Sequence, residues 1–520
     1  MNSEYMAQMR QSLHVDPAFY EKRCMDFKVI REMFDYQTKR FGERTSIYYR
    51  AEGKEMTASF TQLRKDVYSL GAWLWEQGYH RRNIAIAAKN SYPYAALLFA
   101  LLGSDNTAVL LNPGMPSEAI GNMLELVDTD VVFCDSDIAE KIPDGKIIWH
   151  LDEILRCAQQ TDWENSSYAD YSPKPEDIAV LLFSSGTTGS AKAVMLSQGA
   201  ISASLCSSMR ISPHITDSVL LLPLFHAMGF TTFLNDISLG CGIYLNTDIR
   251  RMLADISLVK PAVLAMVPIQ LELLYKMMVM TSPKELRKAL GERLNMIYVG
   301  GSVFKDEVIK GLAQAGICVC GGYGMTEIQI VTMPTEKHCS YMSSGAPKDN
   351  VEIRIDHPDA TGKGEILIRG ETIFSGYYGD PDATKALMPD GWIHSGDIGY
   401  FDNDGCLFVT GRIKNLIILS TGENVSPEEL ENQLLRSSMV AECRVFEWED
   451  AICVEIFPNE ACVAQTDLAD KLKALIKELN SRYPGTYHIT KAFLRKEPLE
   501  KTAIGKIRRD VLPSIENRIF

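Results

Sequence analysis

The nine residues Ser184-Ser185-Gly186-Thr187-Thr188-Gly189-Ser190-Ala191-Lys192 bring five hydroxyls, two glycines and one ammonium into a single short span. Glycine lets backbone N–H groups approach an anion closely, hydroxyls add further donors, and a lysine supplies charge. The chemistry this suggests is the holding of phosphate. A Walker A loop needs Gly directly before its Lys and Ser or Thr directly after it. Here Ala191 and Ala193 occupy those positions, and that reading fails on both sides. A plain surface turn leaves the density of donors without a purpose. A clamp on the β- and γ-phosphates of ATP accounts for it.

Such a loop must be mounted on something rigid. Short apolar runs ("NIAIAAKN", "TAVLLN", "DVVFCD", "DIAVLLFSS") alternate with helical patterns such as "TQLRKDVYSLGAWLWEQG". This alternation predicts an α/β architecture with buried strands whose ends carry ligand loops. Past about residue 345, "VEIRID", "GEILIRG" and "GCLFVTGR" are separated by Gly and Asp turns and predict a more antiparallel, β-barrel-like region. From about residue 416 the pattern reads β-α-β-β-α, with "SPEELENQLLRS" opening as a helix start. A chain of 520 residues exceeds one ordinary core. The expected division is a large α/β domain over 1–411 and a small α+β domain over 416–520, with the boundary at 412–415.

Composition narrows the function. With 46% apolar and 23% charged residues the chain is that of a globular protein, and a formal charge of −14 argues against a nucleic-acid surface. The twelve cysteines are scattered without a CxxC pair, and the first residues lack the cationic start and apolar run of a signal peptide. The expected setting is therefore a reducing cytoplasm. "YAALLFALLGSDNTAVLL" is broken by Ser104-Asp105-Asn106 and is too short for a membrane span.

Four further motifs follow the opening one in order: "GGYGMTE" (321–327), "GWIHSGDIGYFDNDG" (391–405), "GRIKNLIILSTGENVSPEELE" (411–431) and "KTAIGKIRR" (501–509). Together with "SSGTTGSAK" they resemble the acyl-adenylate-forming superfamily of acyl-CoA and aryl-CoA synthetases, peptide-synthetase adenylation domains and luciferases. The resemblance runs through most of the chain. It implies activation of a carboxylic acid by ATP to acyl-AMP with release of pyrophosphate, then transfer to a thiol. That thiol is CoA or, as the alternative, the phosphopantetheine of an acyl carrier protein.

The resemblance also implies roles. Ser184, Ser185, Gly186, Thr187, Thr188, Gly189 and Lys192 would hold phosphates. Tyr323, between Gly322 and Gly324, would stack on adenine beside Gly301 and Ser302. Thr326 would bond the α-phosphate, and Glu327, with Thr187, would hold Mg²⁺. Asp397 would accept the ribose hydroxyls with support from Arg412. Residues 412–415 would be a hinge for a mobile small domain, Lys414 would take the hinge rotation, and Gly422 would line the pantetheine tunnel. Lys506 would bridge the acid carboxylate and the α-phosphate, as suits a point charge with three donors. The segment between Arg412 and Gly422 is one residue longer than the commonest pattern. Ile418 stands where some relatives carry a second functional Lys, which weakens a luciferase-like reading.

"LLPLFHAMGF" bears on the acid. Amino-acid-selecting relatives place an Asp here to pair with the substrate ammonium, whereas Phe225-His226-Ala227-Met228-Gly229-Phe230 contains no carboxylate. An unpartnered buried ammonium is costly, which disfavours an amino acid. The pattern resembles that of fatty and aryl acyl-CoA synthetases, which implies a fatty or aryl acid. By the same resemblance His226 flanks the acyl tunnel and joins the catalytic set. A satisfied structural histidine is the competing reading.

Overall fold

The computed structural model describes residues 3–15, 25–51, 53–185, 191–212, 217–300, 305–418, 424–449, 451–463, 467–483, 485–501, 507–509, 511–513 and 515–520. Its largest sheet has seven strands. Their spatial order is Gly376–Tyr377, Ala191–Ser197, Ile178–Ser185, Thr107–Leu111, Asn83–Ala87, Val131–Cys134 and Ile147–His150. The last five run parallel to one another, and the first two are antiparallel to their neighbours. The apolar runs seen in the sequence supply the central strands. Ile84–Ala87, Val109 and Val131–Cys134 have no measurable exposure, as continuous hydrophobic strands covered on both faces should.

Helices do the covering. Phe60–Glu76 starts at Ser59, whose side chain accepts from the Gln62 N–H. Tyr92–Leu102 is buried at ten of its eleven positions and starts at Ser91 with Pro93 in its first turn. The interrupted apolar stretch is thus this helix followed by the strand Thr107–Leu111. Among the described residues no helix is long and apolar enough to cross a membrane.

A three-stranded parallel sheet, Val263–Met266, Met296–Val299 and Cys318–Gly321, presents Gly300 and Gly322 just past its strand ends. Loops at the carboxyl ends of parallel strands are where α/β sheets bind ligands. The antiparallel region expected past residue 345 is a four-stranded sheet of Val351–Asp356, Gly364–Gly370, Ile393–Phe401 and Leu407–Arg412.

Among the described residues three apolar clusters form: one, between Ala85 and Ala193, lies on one face of the seven-stranded sheet, and two more divide the chain. The larger runs from Tyr5 to Leu407, and the smaller is built from residues between Ile417 and Ala492, with Phe520 packed on it. The smaller body follows the β-α-β-β-α expectation with additions. Ile417–Ile418 pairs with a second short strand, Asn424–Val425, and the short helix Glu460–Val463 precedes Leu468–Asn480. Lys491–Leu494 returns as a third strand, parallel to Ala451–Pro458. Its four residues are too short a run to stand out against the surrounding charges.

One buried acid makes stability depend on pH. Asp236, in the helix Ala227–Ser238, is 4% exposed, and its Oδ2 has no hydrogen-bond partner. Burial pushes its carboxyl up to about 7, against the opposing hydrogen bonds with Ser218 and Asn235. The folded chain therefore holds a proton that the unfolded chain has released above roughly pH 4, and stability falls as pH rises from there to about 7. Asp236→Asn should remove this slope. Its stability relative to the parent is expected to grow by on the order of 2–3 kcal/mol between pH 5 and pH 8. Urea unfolding at the two pH values checks this, and an unchanged difference would refute it.

Candidate active site

The hydroxyl-rich loop is the tip of a β-hairpin. Ile178–Ser185 and Ala191–Ser197 pair antiparallel, with Ser184 opposite Lys192 and Ser185 opposite Ala191. A strand rather than a helix follows the loop, which is a second, independent departure from a Walker A arrangement. Gly186, Thr187, Thr188 and Gly189 lie outside the described residues. The hairpin stems fix where the loop begins and ends.

Lys192 points to a residue that the sequence reading did not select. Its ammonium lies 4.7 Å from the ring centroid of Tyr377. Tyr377 belongs to the edge strand Gly376–Tyr377, in register with Met195 and Val194, and its backbone N–H donates to Thr384 Oγ1 at 2.9 Å. The Tyr377 hydroxyl donates to Glu327 Oε1 at 2.8 Å. The signal was present in "SGYYGDP", where Gly376 and Gly379 flank the aromatic pair at φ 127° and 69°. Nothing in a single sequence ties that turn to a lysine 185 positions earlier.

Glu327 is 5% exposed and pairs with no Lys or Arg among the described residues. It stands at the bend between Tyr323–Met325 and Gln329–Met333, which pair antiparallel. Gly324 is required there, because a Cβ at that position would lie 2.0 Å from the Gln329 carbonyl oxygen. Gln329 takes a left-handed φ of 58°, uncommon for a residue with a side chain. Its amide group donates to the carbonyls of Ala200 and Thr372 at 3.1 Å each, which fixes the bend. Phe374 N donates to the Glu327 carbonyl at 2.8 Å. Thr326 is half-buried on the same bend.

The other end of the motif builds a second cluster. Tyr323 is buried, its N–H donates to Thr332 Oγ1 at 3.1 Å, and its hydroxyl donates to Asp397 Oδ2 at 2.7 Å. Burial, and after it the Asp397 charge, pushes the phenol well above its ordinary range, so it stays a donor. Arg412 Nε meets Asp397 Oδ1 at 2.7 Å, and the two residues are register partners on adjacent strands. Gly396 precedes Asp397 at φ 68°, a turn that favours glycine, and its N–H donates to Glu365 Oε1 at 3.0 Å. Lys414 follows in the 3-10 turn Ile413–Asn415, exposed. Desolvation, and then Arg412, hold its ammonium below the usual lysine range, while Asp397 and Glu428 pull the other way.

His226 stands at the N-terminus of the helix Ala227–Ser238, exposed, and its Nδ1 accepts from the Met228 N–H at 3.3 Å. That bond places the proton of the neutral ring on Nε2. Met228 lies against Gly300, whose missing Cβ would sit 3.1 Å from the Met228 sulfur. Gly322 N donates to the Val299 carbonyl at 3.1 Å, joining the adjacent strand ends. Gly301, Ser302, Gly422 and Lys506 lie outside the described residues. Around Lys506 the flanks are held. Lys501 bridges Ile507, Arg508 N donates to the Glu500 carbonyl at 2.8 Å, and Arg444 Nη1 donates to the carbonyls of Arg508 and Val511 at 2.9 and 2.8 Å.

The structure thus brings together Lys192, Tyr377 and Glu327 in one cluster and Tyr323, Asp397, Arg412 and Lys414 in another, joined by the five-residue run Tyr323–Glu327. A cation over the face of one aromatic ring and a buried carboxylate at its hydroxyl share that single side chain. A second carboxylate carries its own tyrosine and arginine.

Comparison with known proteins bears on the whole chain. The family model for AMP-binding enzymes matches residues 34–378, and that for the AMP-binding enzyme C-terminal domain matches residues 414–514. A 2-succinylbenzoate–CoA ligase of Bacillus cereus is 30% identical over 417 residues, covering 78% of this chain and 82% of that protein. An indoleacetate–CoA ligase of Aromatoleum aromaticum is 30% identical over 356 residues, 65% of this chain and 67% of that protein. The solved O-succinylbenzoate coenzyme A synthetase of Bacillus subtilis in complex with AMP has the same fold at 23% identity. Its TM-score is 0.77, over 93% of this chain and 98% of that one. ATP-bound MatB from Rhodopseudomonas palustris gives a TM-score of 0.77 at 20% identity, over 91% and 96%.

Proposed function

The chain belongs to the AMP-binding enzyme family, and from that premise we propose that it is an AMP-forming acid–thiol ligase acting on a fatty or aryl carboxylic acid, ATP and CoA. The observation that carries this reading is that Tyr377 joins Lys192, on the strand that follows the hydroxyl-rich segment, to the buried Glu327, which has no Lys or Arg partner among the described residues. A buried carboxylate without a counter-charge is costly unless a cation completes it. One carboxylate plus substrate phosphates is the usual environment of Mg²⁺. Glu327 fits that ion, with Thr187 as the second candidate ligand, and Mg²⁺ bound there would neutralise charge on the phosphates.

In the first half-reaction a carboxylate oxygen of the acid attacks the α-phosphorus of ATP. The bond from that phosphorus to the bridging oxygen breaks, and pyrophosphate leaves with the electron pair. Ser184, Ser185, Gly186, Thr187, Thr188, Gly189 and Lys192 hold the departing phosphates. Thr326 and Lys506 meet the charge growing at the α-phosphorus, where fixed donors count for most. Gly301, Ser302, Gly322, Tyr323 and Gly324 take the adenine, and Asp397 with Arg412 takes the ribose. In the second half-reaction the CoA sulfur attacks the acyl carbon and AMP leaves. The 416–520 body turns about 412–415 at Lys414 between the two, bringing the Gly422 segment to the thiol. His226 borders the acyl pocket.

The names of the two relatives, a 2-succinylbenzoate and an indoleacetate ligase, favour an aryl acid and CoA. Acid-dependent exchange of labelled pyrophosphate into ATP, across a panel of aryl, fatty and amino acids, tests the reading. Aryl or fatty acids are expected to win, with CoA thioester as the final product. Release of ADP, or a clear preference for an amino acid, would overturn it.

A further inference from the structure

Tyr377 is 7% exposed and touches two groups of opposite charge. Its hydroxyl is the one side-chain donor to Glu327 among the described residues, at 2.8 Å, and the Lys192 ammonium lies 4.7 Å from its ring centroid. The ring is held on three sides. Its backbone is laddered to Val194, its N–H is bonded to Thr384 Oγ1, and Phe374 meets it edge-on at 5.0 Å and 71°. Lys192 and Val194 are two apart on one strand, so they share the face on which Tyr377 lies.

Lys192 and Glu327 thus meet the same side chain, and among the described residues they form no direct ion pair. A direct Lys–Glu pair would spend both charges on each other. The lysine would offer fewer donors to a phosphate, and the carboxylate would have fewer lone pairs for a metal. The π-face of a tyrosine attracts an ammonium without accepting its protons outright. The hydroxyl engages only one carboxylate oxygen and so leaves the other open.

We propose that Tyr377 is a positioning residue of the adenylation site: its hydroxyl orients the Glu327 carboxylate for Mg²⁺, and its ring keeps Lys192 off that carboxylate and free for phosphate. The inference rests on the proposed roles of Glu327 and Lys192. Groups that orient a metal ligand typically change metal affinity by about 10–100-fold when removed.

The test is calorimetric titration of α,β-methylene-ATP into the full-length protein, with and without Mg²⁺, alongside pyrophosphate exchange as a function of Mg²⁺. Tyr377→Phe keeps the ring and loses the hydroxyl. It is expected to raise the Mg²⁺ concentration for half-maximal exchange by about tenfold, with metal-free analogue binding unchanged. Tyr377→Leu also removes the ring, and is expected to weaken metal-free binding as well. If Tyr377→Phe leaves the Mg²⁺ dependence at the parental value, the proposal is wrong. Glu327→Gln separates this from the underlying reading. Loss of Mg²⁺-dependent binding in Glu327→Gln together with a silent Tyr377→Phe sinks the proposal alone, whereas a silent Glu327→Gln sinks the metal assignment on which it stands. Adding Tyr377→Phe to Glu327→Gln should cost nothing more in analogue binding. A further loss there would mark Tyr377 as merely structural and refute the proposal.

Discussion

Lys506→Ala is expected to lower acid-dependent pyrophosphate exchange by about 10²–10³-fold, the loss seen when one fixed donor to a developing charge is removed. CoA transfer from supplied acyl-adenylate should stay within a few-fold of the parent. The two halves separate because only the first builds negative charge at phosphorus while breaking the triphosphate. Lys501, Lys506, Arg508 and Arg509 form one cationic run, and the structure commits its other described members elsewhere. Lys501 pairs with Glu442 at 2.5 Å, Arg508 with Glu500 at 3.6 Å, and Arg509 with Glu431 at 2.6 Å. Equal loss in both half-reactions would remove Lys506 from its role and with it the turning of the smaller body.

Glu455→Ala should be the most damaging single substitution to the smaller body. Glu455 has no exposure, and its carboxylate is shared by Arg444 Nε and Arg495 Nη1, each at 2.6 Å. Arg444 is itself 4% exposed. Removing the shared anion leaves two guanidinium groups facing each other with little water. Breaking a buried ion pair in this way costs about 3–5 kcal/mol. Urea unfolding followed by a probe in the 416–520 body should show that loss, and Glu455→Gln should recover part of it through hydrogen bonding. Arg444 also donates to the carbonyls of Arg508 and Val511, so the same substitution should loosen the segment after Lys506 and depress adenylation before global unfolding begins. A loss under 1 kcal/mol would show that the arginines find other partners.

Much of the architecture was legible because it is written in local patterns. The buried strands announce themselves as unbroken Val, Ile, Leu and Ala runs, and the antiparallel region past residue 345 shows as alternation between turn residues. The parts that escaped depend on long-range pairing. Tyr377 acquires its interest only when an edge strand at 376–377 docks beside 191–197. The bond from Tyr323 to Asp397 spans 74 positions, and Gln329 looks like any strand polar residue until its left-handed backbone is seen. The last strand, Lys491–Leu494, was hidden by brevity. The loop flanking Lys192 was read as a phosphate clamp from its composition, yet that composition did not reveal that a hairpin would carry it.

Asp397 and Arg412 face each other across one rung of a β-ladder, and Arg412 is the final residue before the 3-10 turn at Ile413–Asn415. A change of backbone angle in that turn must therefore be absorbed by the guanidinium or passed to the carboxylate it grips. Under the roles proposed for these residues, the seat for the sugar and the pivot for the tail form one joint. Motion at the pivot should loosen the spent nucleotide, and a nucleotide left in place should stiffen the pivot.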